Sequence, residues 1–306
     1  NADGTFGNQS PVDTLRLSLL NGIDFNDFNN DGFPDIISGD VYGDIYYYQN
    51  RADASDTFLL RKKIGNVNPL SANNNILQPI TSSDYNNDGN QDFIINMTNS
   101  GLYVFLGDGT GAFIQMPIPV SPSLTIRGKA SADFNNDGKI DIAVGDNLGV
   151  VSIYYGNGDG TFGTPVEIRS IGKDIYGLAG GDVDNDGYLD IIVNGSNDGI
   201  AYVIKEMAAG IFKPVEQLPS LKTASRAAYS LVDINGDGKL DVIATDYNYP
   251  GKLLYFEGNG DGTFKTSVNI PVSMYYAAAV SASRISPEVI AVIGIPEKIE
   301  SKVYYF

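Results

Sequence analysis

DFNNDGFPD, residues 27–35, puts three aspartates and two asparagines into nine positions and then runs into the apolar pair Ile36–Ile37. Clustered charge of this kind cannot enter a hydrophobic core unpaired, so the stretch must be held by other chemistry. It has four further versions: DYNNDGNQD from Asp84, DFNNDGKID from Asp133, DVDNDGYLD from Asp182 and DINGDGKLD from Asp233. Successive copies begin 57, 49, 49 and 51 residues apart, a period that marks a repeat architecture.

Each copy leads into a β-branched segment: DIIS, DFII, DIAV, DIIV or DVIA. A polar turn and an apolar-aromatic segment follow, such as DIYYYQN, LYVFLG or VSIYYG. Gly-rich turns come next at 107–113 (GDGTGAF), 156–163 (GNGDGTFG) and 258–265 (GNGDGTFK), and a short strand such as TPVEI or SVNI ends the unit. Four short strands per repeat, with no sustained 3.6-residue apolar period, predict an all-β β-propeller of four-stranded antiparallel blades.

The ends of the chain extend the pattern. VYYF at 303–306, read on into NADGTFG at 1–7, matches IYYGNGDGTFG at 153–163. The expectation is a single six-bladed domain over residues 1–306, closed by N- and C-terminal strands sharing the last blade. Its blades span about 15–64, 65–119, 120–169, 170–218, 219–271, and 272–306 plus 1–14. A piece of a longer propeller, its ends matching by descent alone, is the alternative. In the sixth unit Ser283, Ser286 and Pro287 stand where carboxylates would be, so that unit should hold no metal.

In each acidic loop the first, third, fifth and ninth residues offer side-chain oxygens and the seventh its backbone carbonyl. The five sets are Asp27, Asn29, Asp31, Phe33 and Asp35; Asp84, Asn86, Asp88, Asn90 and Asp92; Asp133, Asn135, Asp137, Lys139 and Asp141; Asp182, Asp184, Asp186, Tyr188 and Asp190; and Asp233, Asn235, Asp237, Lys239 and Asp241. Glycine at the sixth position permits the tight curl. Several hard oxygens in a flexible cage suit Ca²⁺ better than Mg²⁺. An EF-hand would need a carboxylate at position twelve, where Ser38, Ile95, Val144, Val193 and Ala244 stand instead.

The totals agree. Net charge is −17, so nucleic acid and anionic lipid should be repelled and cations drawn in. Five Ca²⁺ would bring the charge to −7. With no cysteine and no histidine, thiolate chemistry, disulfides and the commonest general base are excluded. No apolar run is long enough to span a membrane. The chain begins with Asn and shows no basic-then-apolar leader, which suggests a mature or excised form.

DxNxDGxxD before a strand, with GDGTF one hairpin later, resembles the FG-GAP/VCBS-type repeats of integrin α-subunit head domains and of many secreted proteins. The resemblance covers nearly the whole chain and implies five structural Ca²⁺ sites at the positions named above. Two departures are the undecorated sixth unit and EMAAGIF at 206–212 in place of GDGTF. Integrin propellers have seven blades, so a count of six also differs.

Extracellular calcium modules bind with Kd of about 10⁻⁴–10⁻³ M. At roughly millimolar Ca²⁺, five sites would together stabilise the fold by about 2–7 kcal/mol. Cytosolic Ca²⁺ would leave them nearly empty, so a secreted, periplasmic or cell-surface location is expected.

In a four-stranded meander the acidic loops and Gly-rich turns share one face. The second connections and inter-blade links share the other, which leaves that face free for recognition. Arg127, Lys173, Tyr176, Arg226, Tyr247, Tyr249 and Tyr275 lie in or beside these links and could meet a glycan or an extracellular protein. Asn8, Asn96 and Asn194 each begin an Asn-x-Ser/Thr match. No acid–base constellation is legible. A non-catalytic recognition module is therefore favoured over a scaffold within a larger surface protein and over a polysaccharide lyase.

Overall fold

The computed structural model describes residues 10–11, 20–40, 42–51, 58–59, 61–67, 80–96, 101–118, 125–195, 199–223, 227–246, 251–274, 277–286, 289–296 and 304–305. Among these residues there is no helix, and therefore none long and apolar enough to cross a membrane. Five four-stranded antiparallel sheets follow one another along the chain. Blade 1 runs Leu20–Asn26, Asp35–Asp40, Asp44–Tyr48, Lys62–Asn66; blade 2 runs Thr81–Ser83, Asp92–Asn96, Leu102–Gly107, Phe113–Ile118. Blade 3 is Ile126–Ala132, Asp141–Asp146, Val150–Tyr154, Val166–Ser170, and blade 4 is Ile175–Gly181, Asp190–Gly195, Ile200–Ile204, Glu216–Lys222. Blade 5 is Tyr229–Val232, Asp241–Asp246, Gly251–Phe256, Val268–Met274. In every blade the strands pair in chain order, so the acidic loop is always the first connection.

Burial explains the strand sequences. The second strand of blades 1 to 4 is buried along its whole length, because both of its faces meet neighbouring sheets. Such a strand must be apolar at successive positions rather than alternating. Phe93 and Ile95 pack toward blade 1, while Ile94 packs toward blade 3. The fourth strands of blades 1 and 3 lie on the rim and are largely exposed.

The apolar second residue of each acidic loop is buried as well: Phe28, Tyr85, Phe134, Val183 and Ile234. It anchors the loop in the gap toward the next blade, where the Phe of that blade's Gly-rich turn meets it. Phe113 packs edge-on to Phe28 at 5.9 Å and Phe162 to Tyr85 at 5.8 Å between ring centroids. Phe264 shares a cluster with Val183, and Phe212 of the divergent EMAAGIF turn shares one with Phe134. The backbone closes the same latch, with Gly160 N–H donating to Tyr85 O and Gly262 N–H to Val183 O. Tyr47, Tyr48 and Tyr154 on the third strands of blades 1 and 3 are buried as well.

The expected count of six blades is corrected to five complete ones among the described residues. Beyond blade 5, Ala277–Ser286 and Val289–Pro296 pair, among the described residues, with each other, as a hairpin whose first strand lies against the inner strands of blades 5 and 1 and whose second strand lies beside Tyr304–Tyr305. Ser10 and Pro11 do pair with Tyr305 and Tyr304, but as a separate two-residue ladder rather than within a four-stranded sheet. Where each of the five blades places an eight-residue acidic loop between its first two strands, only two residues, 287–288, separate the strands of the hairpin.

Candidate metal centres and the opposite face

The acidic loops owe their curl to side-chain-to-backbone hydrogen bonds within the motif. Asp133 Oδ1 accepts from Asp137 N at 3.0 Å and its Oδ2 from Gly138 N at 2.8 Å. Asn135 Oδ1 accepts from Asp137 N, and Asp137 Oδ1 from Lys139 N. The first and fifth aspartates make the same bonds in the other four loops. The fourth residue turns left-handed: Asn30, Asn87, Asn136 and Asn185 have φ of 56–58°, and Gly236 takes this place in the fifth loop at 75°. Asparagine and glycine are the residues that tolerate this conformation, which accounts for the NN, DN and NG pairs in the motif.

The ninth aspartate differs from the rest. Asp35, Asp92, Asp141, Asp190 and Asp241 are completely buried. Asp141 Oδ2 accepts from Phe134 N at 3.0 Å, and its Oδ1 accepts from Gly156 N at 2.8 Å, just beyond the third strand. Asp92, Asp190 and Asp241 repeat both bonds. Asp35 keeps the bond beyond the third strand, accepting from Asn50 N, and its Oδ2 accepts from the Tyr47 hydroxyl. Burial is the main force raising these carboxyls, with the loop's other aspartates adding to it. Asp35, Asp92 and Asp141 are pushed up to about 6 and Asp190 to about 7, and Asp241 is raised. A nearby cation would relieve this strain on the ionised form.

Loop 4 fits a cation best. Its Asp182, Asp184 and Asp190 each present a carboxylate oxygen, and the three atoms lie within 4.8 Å of one another. Asp184 Oδ1 is buried without a hydrogen-bond partner, while its Oδ2 pairs with Lys205 Nζ at 3.0 Å. A buried, unpartnered carboxylate oxygen is costly unless a positive charge faces it. Loops 1, 2, 3 and 5 carry Asn at the third position and so have one carboxylate fewer. In loops 3 and 5 the seventh residue is Lys139 or Lys239, whose ammonium lies 4.0 or 3.5 Å from the fifth aspartate.

On the opposite face the structure brings three of the expected recognition residues near one another. Arg127 lies over the Tyr176 ring at 4.3 Å and 3.4 Å from Asp174 Oδ1. Lys173 Nζ bonds the Tyr202 hydroxyl at 2.6 Å. Arg226, Tyr247, Tyr249 and Tyr275 lie outside the described residues. Of the Asn-x-Ser/Thr matches, Asn96 and Asn194 are buried and closed to modification in the folded chain, and Asn8 lies outside the described residues.

What the sequence missed sits on the axis. The inner strands enclose a cavity of about 310 Å³ lined by Asp24, Lys129, Ser82, Ser131, Tyr176 and Tyr229, among others. The signal was present as unlike residues at matching positions of the repeats.

Residues 84–144, 133–193 and 233–283 each match the FG-GAP-like repeat, and together they cover more than half of the chain. No curated protein sequence is significantly similar to the chain. Solved structures share its fold at low identity. A lectin of Agrocybe aegerita, described as recognising non-reducing terminal N-acetylglucosamine, is 19% identical with a TM-score of 0.59, over 91% of this chain and 75% of that one. A luciferin-regenerating enzyme is 11% identical with a TM-score of 0.61, over 97% and 94%. The Tc holotoxin pore of Photorhabdus luminescens is 17% identical with a TM-score of 0.57, over 97% of this chain but only 14% of that one. At these identities the likeness shows the propeller fold, which is compatible with a ligand-binding module.

Proposed function

Because the chain belongs to the FG-GAP-like repeat family, we propose that it is a calcium-stabilised recognition module working outside the cytoplasm. In this reading Ca²⁺ sits in the five acidic loops, held by the first, third, fifth and ninth side chains and the seventh carbonyl. The observation that carries it is the convergence of carboxylate oxygens from Asp182, Asp184 and Asp190, together with the buried Asp184 Oδ1 that has no hydrogen-bond partner. The bound ion would offset clustered like charge and join the loop to the buried ninth aspartate, and through it to the third strand. Its role is structural rather than chemical.

A glycan or an extracellular protein would bind the opposite face, where Arg127, Tyr176 and Lys173 combine cationic and aromatic character. The likeness to a sugar-recognising lectin supports a glycan, although that protein's ligand is its own. Two measurements test the reading. Chelation with EGTA should lower the melting temperature substantially, and an unchanged curve would remove the calcium. A glycan array with and without Ca²⁺ should show saturable binding. Silence there, with no protein captured either, would favour a spacer, and release of unsaturated sugar ends from acidic polysaccharides would favour a lyase.

A further inference from the structure

Two buried charges on the axis are not required by the fold. Asp24, Thr81, Ala130, Ala179 and Ser230 stand at one level of the five inner strands, each opposite the residue two past its blade's ninth aspartate. Four blades fill that level with small or hydroxylated residues, and blade 1 places a carboxylate there. One level further along, Ile23, Leu178 and Tyr229 correspond to Lys129. Blade 3 thus has an ammonium where its neighbours have apolar or aromatic groups. Asp24 and Lys129 are 9% and 5% exposed, and both line the axial cavity.

Buried charges cost stability unless they are paired or used. Both are held by built contacts. Lys129 Nζ donates to Asn96 Oδ1 at 2.8 Å, and Asn96 is itself fixed by Nδ2 donating to Ile126 O. Asp24 Oδ2 accepts from the Ser82 hydroxyl at 2.7 Å. Burial pulls the Lys129 ammonium down to about 7, against the opposing pull of the Asp24 charge, so the two groups sense each other.

We propose that the axial cavity binds a single neutral sugar ring, with the Lys129 ammonium and the Asp24 carboxylate as its polar anchors. Lysine only donates hydrogen bonds and an ionised carboxylate only accepts them, whereas each sugar hydroxyl does both. The hydroxyls of Ser82 and Ser131 and the rings of Tyr176 and Tyr229 complete a lining of this kind. One ammonium and one carboxylate leave no net charge for an anionic ligand, and the −17 of the whole chain opposes anions further. A volume of about 310 Å³ lies at the lower end of small-molecule sites, which suits one ring rather than an oligosaccharide. The cavity shares Tyr176 with the opposite-face surface, but Lys129 and Asp24 belong to neither that surface nor the acidic loops, so variants at these two residues test the cavity and leave both of those readings standing.

The test is a calorimetric and saturation-transfer NMR titration of the full, calcium-loaded chain with glucose, galactose, mannose, xylose and N-acetylglucosamine. Saturable binding of at least one sugar is expected. Lys129→Leu, Asp24→Ser and the double variant restore residue types that other blades carry at these levels. Each should weaken binding at least about tenfold. The double variant removes both charges together, so no buried charge is left without its counterpart, and its cooperative melting shows that it is folded. No saturable binding to any of the five sugars would overturn the proposal. So would a folded double variant that binds as tightly as the parent.

Discussion

The raised carboxyls of the ninth aspartates should make the metal-free protein more stable in mild acid than at neutral pH. Each folded value lies above the ordinary 3.8, at about 6 for Asp35, Asp92 and Asp141 and about 7 for Asp190. The fold therefore binds protons more tightly than the unfolded chain. Stability is gained as pH falls through the folded value and lost as it rises. Between pH 7.5 and 5 the gain is on the order of 1 kcal/mol for each of the first three and about twice that for Asp190. Asp241 adds in the same direction. Lys129, lowered to about 7, works the other way and takes back about 1 kcal/mol. The net expectation is several kcal/mol.

Calcium bound in the loops as proposed should reverse the trend, because its ligands must be ionised and protons compete with it. The assay is scanning calorimetry and urea denaturation at pH 7.5, 6 and 5, in EGTA and in millimolar Ca²⁺. In EGTA the melting temperature should rise as pH falls. The difference between calcium and EGTA should be largest at pH 7.5 and shrink toward pH 5. A melting temperature in EGTA that falls steadily from pH 7.5 to 5 would refute the reasoning.

Asp137→Asn keeps the acceptor for Lys139 N–H, so in EGTA it should change stability by less than about 0.5 kcal/mol. In millimolar calcium it should lose that site's contribution of about 0.4–1.4 kcal/mol, read by calorimetry with and without the ion. Phe162→Ala removes the edge-on contact with Tyr85 across blades 2 and 3 and should cost about 2 kcal/mol in urea unfolding. Asn136→Ala places a β-carbon on a residue with φ of 56° and should cost about 1 kcal/mol, whereas Asn136→Gly, the residue type at 236, should cost little in the same assay.

The acidic loops could be read from the chain alone because their hydrogen bonds span two to five residues. Asp133 reaches the backbone of Asp137 and Gly138, and Asp137 reaches that of Lys139. Local bonds leave a local pattern, and five copies at blade spacing gave the strands and the propeller. Other features depend on contacts between distant segments. The ninth aspartate looks like any other ligand in sequence. Its complete burial and its bond to Gly156 N, Gly258 N or their counterparts appear only when the third strand folds back. The Phe of the Gly-rich turn reads as a turn residue until the next blade packs it on its neighbour's loop. That the last unit shows a hairpin rather than a complete blade among the described residues is likewise visible only in the strand pairing. Asp24 and Lys129 look like two ordinary surface charges along the chain. They line one cavity because a ring of sheets turns every first strand toward one axis, a position that no single repeat encodes.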